Sequence, residues 1–268
     1  MPHPLPALSP ALRRAHAASL QRMVAVERAA RVTLGATARR AAQAGASHRG
    51  GRIERVMEGG RLLEAGVGLV MVRARETARR EGRATFLGEL SAATAGGSDR
   101  WEAPAAPEGQ GEQDEAAATV AAKAFAAGWL SEALANVARP DAEQADVLAE
   151  MIAATAAQGY RLDAMAASDV AATYNAEREE LGAAYAQDAG RLWLPIPLKY
   201  WDATLDTKLC ARCAALHGTT RPLGFPFPGG LVPGAVHRNC RCGTGLTGVI
   251  APLPAGEGVE EADYYFDG

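Results

Sequence analysis

Apolar side chains recur along the first part of the chain at intervals of three and four, the period of an α-helix with one buried face. Ser9-Pro10 offers a helix N-cap followed by proline at the first helical position, where its missing N–H is harmless, so a helix is expected from there to about Gly45. Its apolar stripe is thin: Leu12, Leu20, Met23, Val24 and Leu34. After Gly50-Gly51 a second helical pattern carries Ile53, Val56, Met57, Leu63, Val67, Val70 and Met71. Gly59, Gly60, Gly66 and Gly68 interrupt it, each costing up to about 1 kcal/mol relative to alanine, so this helix is expected to bend or to lean on a partner.

From Ala92 to Glu115 the pattern lapses into Gly, Pro, Ser and acids, which reads as a linker with Trp101 as a local anchor against a neighbouring helix. Helical spacing returns over Ala116–Val137, with Phe125, Trp129, Leu130, Leu134 and Val137 on one side, and should stop before Pro140. Asp141 is expected to open the next helix, carrying Val147, Leu148, Met151 and Ile152 and closed by Gly159. A further helix over roughly Asp163–Gln187 presents Met165, Val170, Tyr174, Leu181 and Tyr185 on one face, with both tyrosines in the core.

The texture changes after Gly190. Leu192–Trp201, with two prolines among alternating bulky residues, reads as an edge strand or an extended entry into a small module. Phe225–Gly230 and Val232–Gly234 carry turn chemistry. The expected fold is mainly α with a small C-terminal α+β module: long Ala/Arg-rich helices followed by a Cys-rich zinc-binding-type module. By position this gives a basic helical region 1–91, a Gly/Pro/acidic linker 92–115, a domain 116–249 (helical 116–190, Cys/His module 191–249) and an acidic tail 250–268.

Composition adds two exclusions. A hydrophobic share of 48% over 268 residues supplies a real core, against collagen-like or wholly disordered readings. The longest apolar run, Ala65–Arg73, is too short to cross a bilayer, and Met1–Pro10 lacks the pattern of a secretory signal, so no membrane association and a cytosolic site of synthesis are expected. The net charge of −3 conceals an asymmetry: residues 1–90 hold 16 Arg, no Lys and 7 acids, and the remainder is acidic. Such arginine-rich helices could neutralise DNA phosphates without sequence preference, or pair with the acidic part of the same chain.

All four cysteines fall between Cys210 and Cys242. The order is Cys210-x2-Cys213, then Cys240-x-Cys242, with His237 three residues before Cys240. Two such pairs can close a tetrahedral site, and Zn²⁺ suits thiolate and imidazole donors. One structural zinc per chain is therefore expected, held by four of the five donors Cys210, Cys213, His237, Cys240 and Cys242. Cys210, Cys213, His237 and one of Cys240 or Cys242 form a rival to the all-cysteine set. Disulfides or free buried thiols are the alternatives to metal. His217 reads as a turn histidine in an ordinary hydrogen bond, and Arg238 and Arg241 as compensation for thiolate charge. No His-Glu-x-x-His or deaminase signature accompanies the cysteines, so no catalytic residue is assigned and no enzymatic activity is expected.

Thr173-Tyr174-Asn175, Trp201–Asp206, Cys210-Ala211-Arg212-Cys213, Leu216-His217-Gly218 and His237–Cys242 together resemble the C-terminal pattern of the phage Mu F-like head-morphogenesis, or minor capsid, proteins of tailed bacteriophages. The resemblance covers roughly residues 116–249. Tyr174 stands where the family commonly has Glu and Arg238 where it commonly has Pro, and the Thr173 region reads as ordinary helix surface. The resemblance implies a non-enzymatic minor head protein of a phage or gene transfer agent, in several copies around the portal inside the virion after assembly in the host cytoplasm. Its implied partners are the portal protein and the capsid interior, with contact to packaged DNA during ejection through the arginine-rich helices. A zinc-stabilised DNA-binding protein is the alternative, and a zinc hydrolase or nuclease a more distant one.

Overall fold

The Ser9 hydroxyl accepts the N–H of Leu12 at 3.2 Å, and Pro10 opens helix α1, Pro10–Ala46. The computed structural model describes residues 6–138, 146–203, 209–237 and 240–251. Helices α2 (Arg52–Ala93), α3 (Gln110–Val137), α4 (Val147–Ala157) and α5 (Gly159–Leu192) follow. Then come β1 (Ile196–Asp202), the short helix α6 (Ala211–Leu216), β2 (Thr220–Pro222) and β3 (Gly243–Ala251). The protein is mainly α with a small C-terminal sheet and a cysteine cluster, as the pattern predicts.

Several boundaries differ from those expected. The linker is shorter than 92–115, because α2 continues to Ala93 and α3 begins at Gln110. Trp101 within it is buried, donates its indole N–H to Asp188 at 3.1 Å and meets the Tyr185 ring edge-on at 5.1 Å. Asp146 caps α4 through the N–H of Leu148, and Gln158 ends it, so Gly159 opens the next helix rather than closing this one. Pro140, Asp141 and most of the acidic tail lie outside the described residues, while Ile250 and Ala251 belong to β3.

The chain divides into two compact units, each drawn from separate stretches: 1–23, 79–105 and 171–268 in one, 24–78 and 106–170 in the other. This cuts across the sequential division expected from composition, because α1, α2 and α5 are long enough to supply residues to both.

In the all-helical unit the buried face of α2 is Val56, Leu63, Val67, Met71, Ala74 and Ala78, while Ile53 and Met57 of the expected stripe are exposed. The interior glycines have their reason here. A Cβ on Gly59 would strike Met151 of α4, and one on Gly60 would strike Leu130 of α3. A Cβ on Gly45 would lie 2.6 Å from the Cα of Gly59, so the two backbones approach as only glycine permits. The glycine-bearing stretch of α2 thus leans on α1, α3 and α4 of the same unit. Arg75 binds both Asp169 (2.8 Å from Nε) and Asp114 (3.4 Å), joining α2, α5 and α3.

In the other unit, β1 is the central strand of a three-stranded antiparallel sheet, ordered β2-β1-β3. An edge strand or an extended entry was expected from its prolines. Pro197 is accommodated because the register shifts between Pro197 and Lys199, and its carbonyl still accepts the N–H of Leu223 at 3.0 Å. The core beneath includes Leu12, Phe86, Leu90, Leu181, Tyr185, Leu194 and Leu246.

The outer edge of β3 meets side chains instead of another strand. Asn175 donates to the Cys242 carbonyl (3.2 Å) and accepts the Thr244 N–H (3.2 Å). Arg178 donates to the Thr244 carbonyl (3.0 Å), and Glu89 accepts the Leu246 N–H (3.2 Å). Glu89 and Arg178 are themselves a fully buried ion pair at 2.9 Å. Buried charges of this kind survive only when paired and hydrogen-bonded, and here the strand edge supplies a further partner to each. Tyr174 is buried as expected, and the burial of Thr173 and Asn175 beside it corrects the reading of that step as helix surface. The α5 face includes Tyr174, whose hydroxyl donates to the Ser19 carbonyl at 3.1 Å.

Candidate metal centre

Each cysteine pair is shaped by a local backbone reason. Cys210 is the N-cap of α6, and its sulfur accepts the N–H of Cys213 at 3.3 Å, so the short helix folds both sulfurs toward one point. Cys240 follows a turn in which its own N–H reaches the His237 carbonyl at 3.1 Å. The N–H groups of Cys242, Gly234 and Val236 all act on its sulfur. Cys242 immediately precedes β3 and is fixed there through Asn175.

The structure brings all five expected donors into one neighbourhood. Cys213, Cys240 and Cys242 form a buried group with their sulfurs within 4.8 Å of one another. Cys210, Cys213 and His237 form a second group on the same criterion, with Cys213 in both. Cys213 Sγ lies 3.2 Å from His237 Nε2 and 3.9 Å from Cys240 Sγ. A cation with bonds of roughly 2.3 Å to sulfur and 2.0 Å to nitrogen sets its ligand atoms about this far apart. Trp201 and Phe227 pack edge-on at 5.1 Å beside the cluster and, with Leu216, Ala203 and Cys213, form its apolar floor. No disulfide links these cysteines.

Electrostatics in the cluster follow from crowding. The Cys242 thiol, more than opposing burial, brings Cys240 down to about 5, with the three N–H groups contributing. Burial pushes Cys213 up to about 12, helped by the neighbouring sulfurs. Its bond to Cys240, then burial, raises Cys242. Burial works against ionisation of Cys210, yet the N–H of Cys213 and the nearby His237 hold it below the usual thiol range. One sulfur charge therefore keeps the adjacent thiols protonated. Several thiolates in so small a buried volume require a cation among them, so the donor set fits a bound metal ion.

Against protein-family models, curated proteins and solved structures, the chain has no match.

His217 stands apart from the cluster. It is buried, and its Nδ1 accepts the N–H of Ala203 at 3.1 Å, the ordinary hydrogen bond expected of it. Arg238 and Asn239 lie outside the described residues, as do Thr204–Asp206.

A second cluster of titratable groups was not singled out in the sequence. His16 of α1 lies with Nε2 2.8 Å from Asp202 and Nδ1 3.7 Å from Glu89, its ring 5.3 Å from that of Tyr200. Burial opposes its charge, but the two carboxylates outweigh that and raise it to about 9. His16 is thus a cation that ties the first helix to the end of β1. Nothing in the local spacing of a lone histidine in an Ala/Arg-rich helix signals a carboxylate partner 186 residues away.

Many of the basic groups of residues 1–90 are likewise spoken for. Arg75 binds Asp114 and Asp169, and Arg79 and Arg83 bind Glu177 at 3.4 Å each. Arg22 binds Glu81 at 2.7 Å. Pairing with the acidic part of the same chain, one of the two readings of the charge asymmetry, is therefore present. Arg13, Arg14, Arg28, Arg39, Arg49 and Arg73 are exposed. Among the described residues, no helix is long and apolar enough to cross a membrane.

Proposed function

We propose that this chain is a non-enzymatic minor head protein of a tailed phage or phage-like particle, acting at the portal vertex, with one structural Zn²⁺ in its cysteine module. The observation that carries the reading is the pair of hydrogen bonds in which Asn175 donates to the Cys242 carbonyl and accepts the Thr244 N–H. The Thr173–Asn175 step and the Cys-x-Cys step are the two most separated parts of the motif set, and the structural need for them to occur together is that one holds the other in place. Zinc is favoured over other cations by the soft donors, all sulfur and imidazole, with no carboxylate in either group among the described residues. Such a site stabilises a small module whose own core is modest. Within this reading, the exposed arginines of α1 and α2 are the groups that would meet packaged DNA, with an affinity that falls as salt rises.

Particles purified from the source culture and quantified by mass spectrometry test the proposal. The chain should be present at low copy number, in fixed proportion to the portal protein, and should remain with the portal when the shell is dissociated. Its absence from particles, or a copy number tracking the major shell protein, would refute the assignment. Elemental analysis of the purified chain should return about one zinc per chain.

A further inference from the structure

The five donors are unequal. Cys213, Cys240 and Cys242 are buried at 1%, 1% and 2% exposure, whereas Cys210 and His237 are both half-exposed. The inner three are locked from several directions. Cys213 lies within α6 against the apolar floor, Cys240 is wrapped by backbone N–H groups, and Cys242 is fastened to α5 through Asn175. The outer two come from different chain segments, Cys210 at the start of α6 and His237 at the turn before Cys240, and both lie beside Cys213. Each lies within 4.8 Å of Cys213 and of the other. A tetrahedral cation that takes the three inner sulfurs has one place left, and two donors of suitable chemistry beside it.

We infer that the cation is held by a fixed triad of Cys213, Cys240 and Cys242, and that Cys210 and His237 are interchangeable donors for the fourth position. This rests on the zinc reading above. Loss of either outer donor then leaves a complete four-ligand site, all thiolate without the histidine, or three thiolates and the imidazole without Cys210. Loss of both leaves three ligands, and loss of an inner cysteine leaves two inner sulfurs with two outer donors that share a single position. The surface donor that is not bound at a given moment stays within reach, so damage to Cys210 would not by itself release the ion.

The test uses the full chain with Zn²⁺ and Co²⁺ as probes. Native mass spectrometry and competition with a chromophoric chelator are run on wild type, Cys210→Ser, His237→Ala, the double variant and Cys240→Ser, with circular dichroism on each to confirm that helical content is retained. Wild type and both single variants should each keep one zinc, with affinities within about tenfold of one another, and the double variant and Cys240→Ser should lose about 100-fold or more. The cobalt spectrum should shift toward all-thiolate character in His237→Ala and toward mixed sulfur–nitrogen character in Cys210→Ser. Loss of zinc from either single variant would overturn the inference while leaving the zinc reading intact, and so would retention in the double variant. A wild-type chain that binds neither probe would overturn both.

Discussion

Replacing Asn175 by alanine tests whether the side-chain edge of β3 carries stability. Asn175 is fully buried and has four partners: the Met23 sulfur at 3.9 Å, the Ala171 carbonyl at 2.8 Å, and the Cys242 carbonyl and Thr244 N–H at 3.2 Å each. The Ala171 carbonyl lies within α5, where the helix ladder also uses it, so its loss matters little. The two strand groups are different. Thr244 stands opposite Trp201, whose own N–H and carbonyl point to Thr219 and Gly218, so the outward groups of Thr244 depend on Asn175 and Arg178 of α5. A buried backbone group left without a partner costs about 1–3 kcal/mol, and two of them set the expected loss at about 2–6 kcal/mol. Urea unfolding should show this as a lower midpoint at constant slope. Asn175→Asp should cost more than alanine, because it turns a carboxylate oxygen toward two carbonyls in a buried site. A loss below about 1 kcal/mol for alanine, or aspartate tolerated better than alanine, would refute the reasoning.

Three further outcomes are expected. His16, raised from 6.5 to about 9 in the folded chain, contributes stability of order 3 kcal/mol that is complete below pH 6.5 and is lost as pH rises through 9; His16→Gln should flatten the stability profile across that window relative to wild type. Arg75→Ala leaves the buried Asp114 and the half-buried Asp169 without their shared cation and should cost about 3 kcal/mol by thermal or urea unfolding. Gly45→Ala should destabilise by about 1–3 kcal/mol although alanine is the better helix former, because its Cβ meets the α2 backbone, whereas Gly88→Ala, with open space around it, should stabilise by about 0.5–1 kcal/mol; equal effects at the two positions would remove close helix packing as the cause.

The helices and the cysteine cluster were legible because both are local signals. Ser9-Pro10 marks the start of α1 through its own hydrogen bond, and Cys-x2-Cys converges through one turn of backbone. What escaped the sequence depends on distant partners. The exposed Ile53 and Met57 and the buried Glu89 have no local distinction from their neighbours, and only the approach of α5 and β3 decides their fates. Pro197 argued for an edge strand on sound local grounds, yet a one-residue shift in register admits it to the centre of the sheet. The same holds for the unequal burial of the five donors, since spacing gives five equivalent candidates and only packing separates three of them from two.

The unit that houses the cysteine module is closed by residues from both extremes of the chain. His16 reaches Asp202 across 186 residues, Glu89 reaches Leu246 across 157, and Leu12 shares a core cluster with Leu246 and Ala251. During synthesis, the first turns of α1 leave the ribosome with their apolar face uncovered and must wait for nearly the whole chain before their partners exist. Folding of this unit is then governed by the closure of very large loops, which makes it slow and exposes it to chaperones and proteases for longer than the all-helical unit. A deletion confined to one end of the chain therefore acts at both.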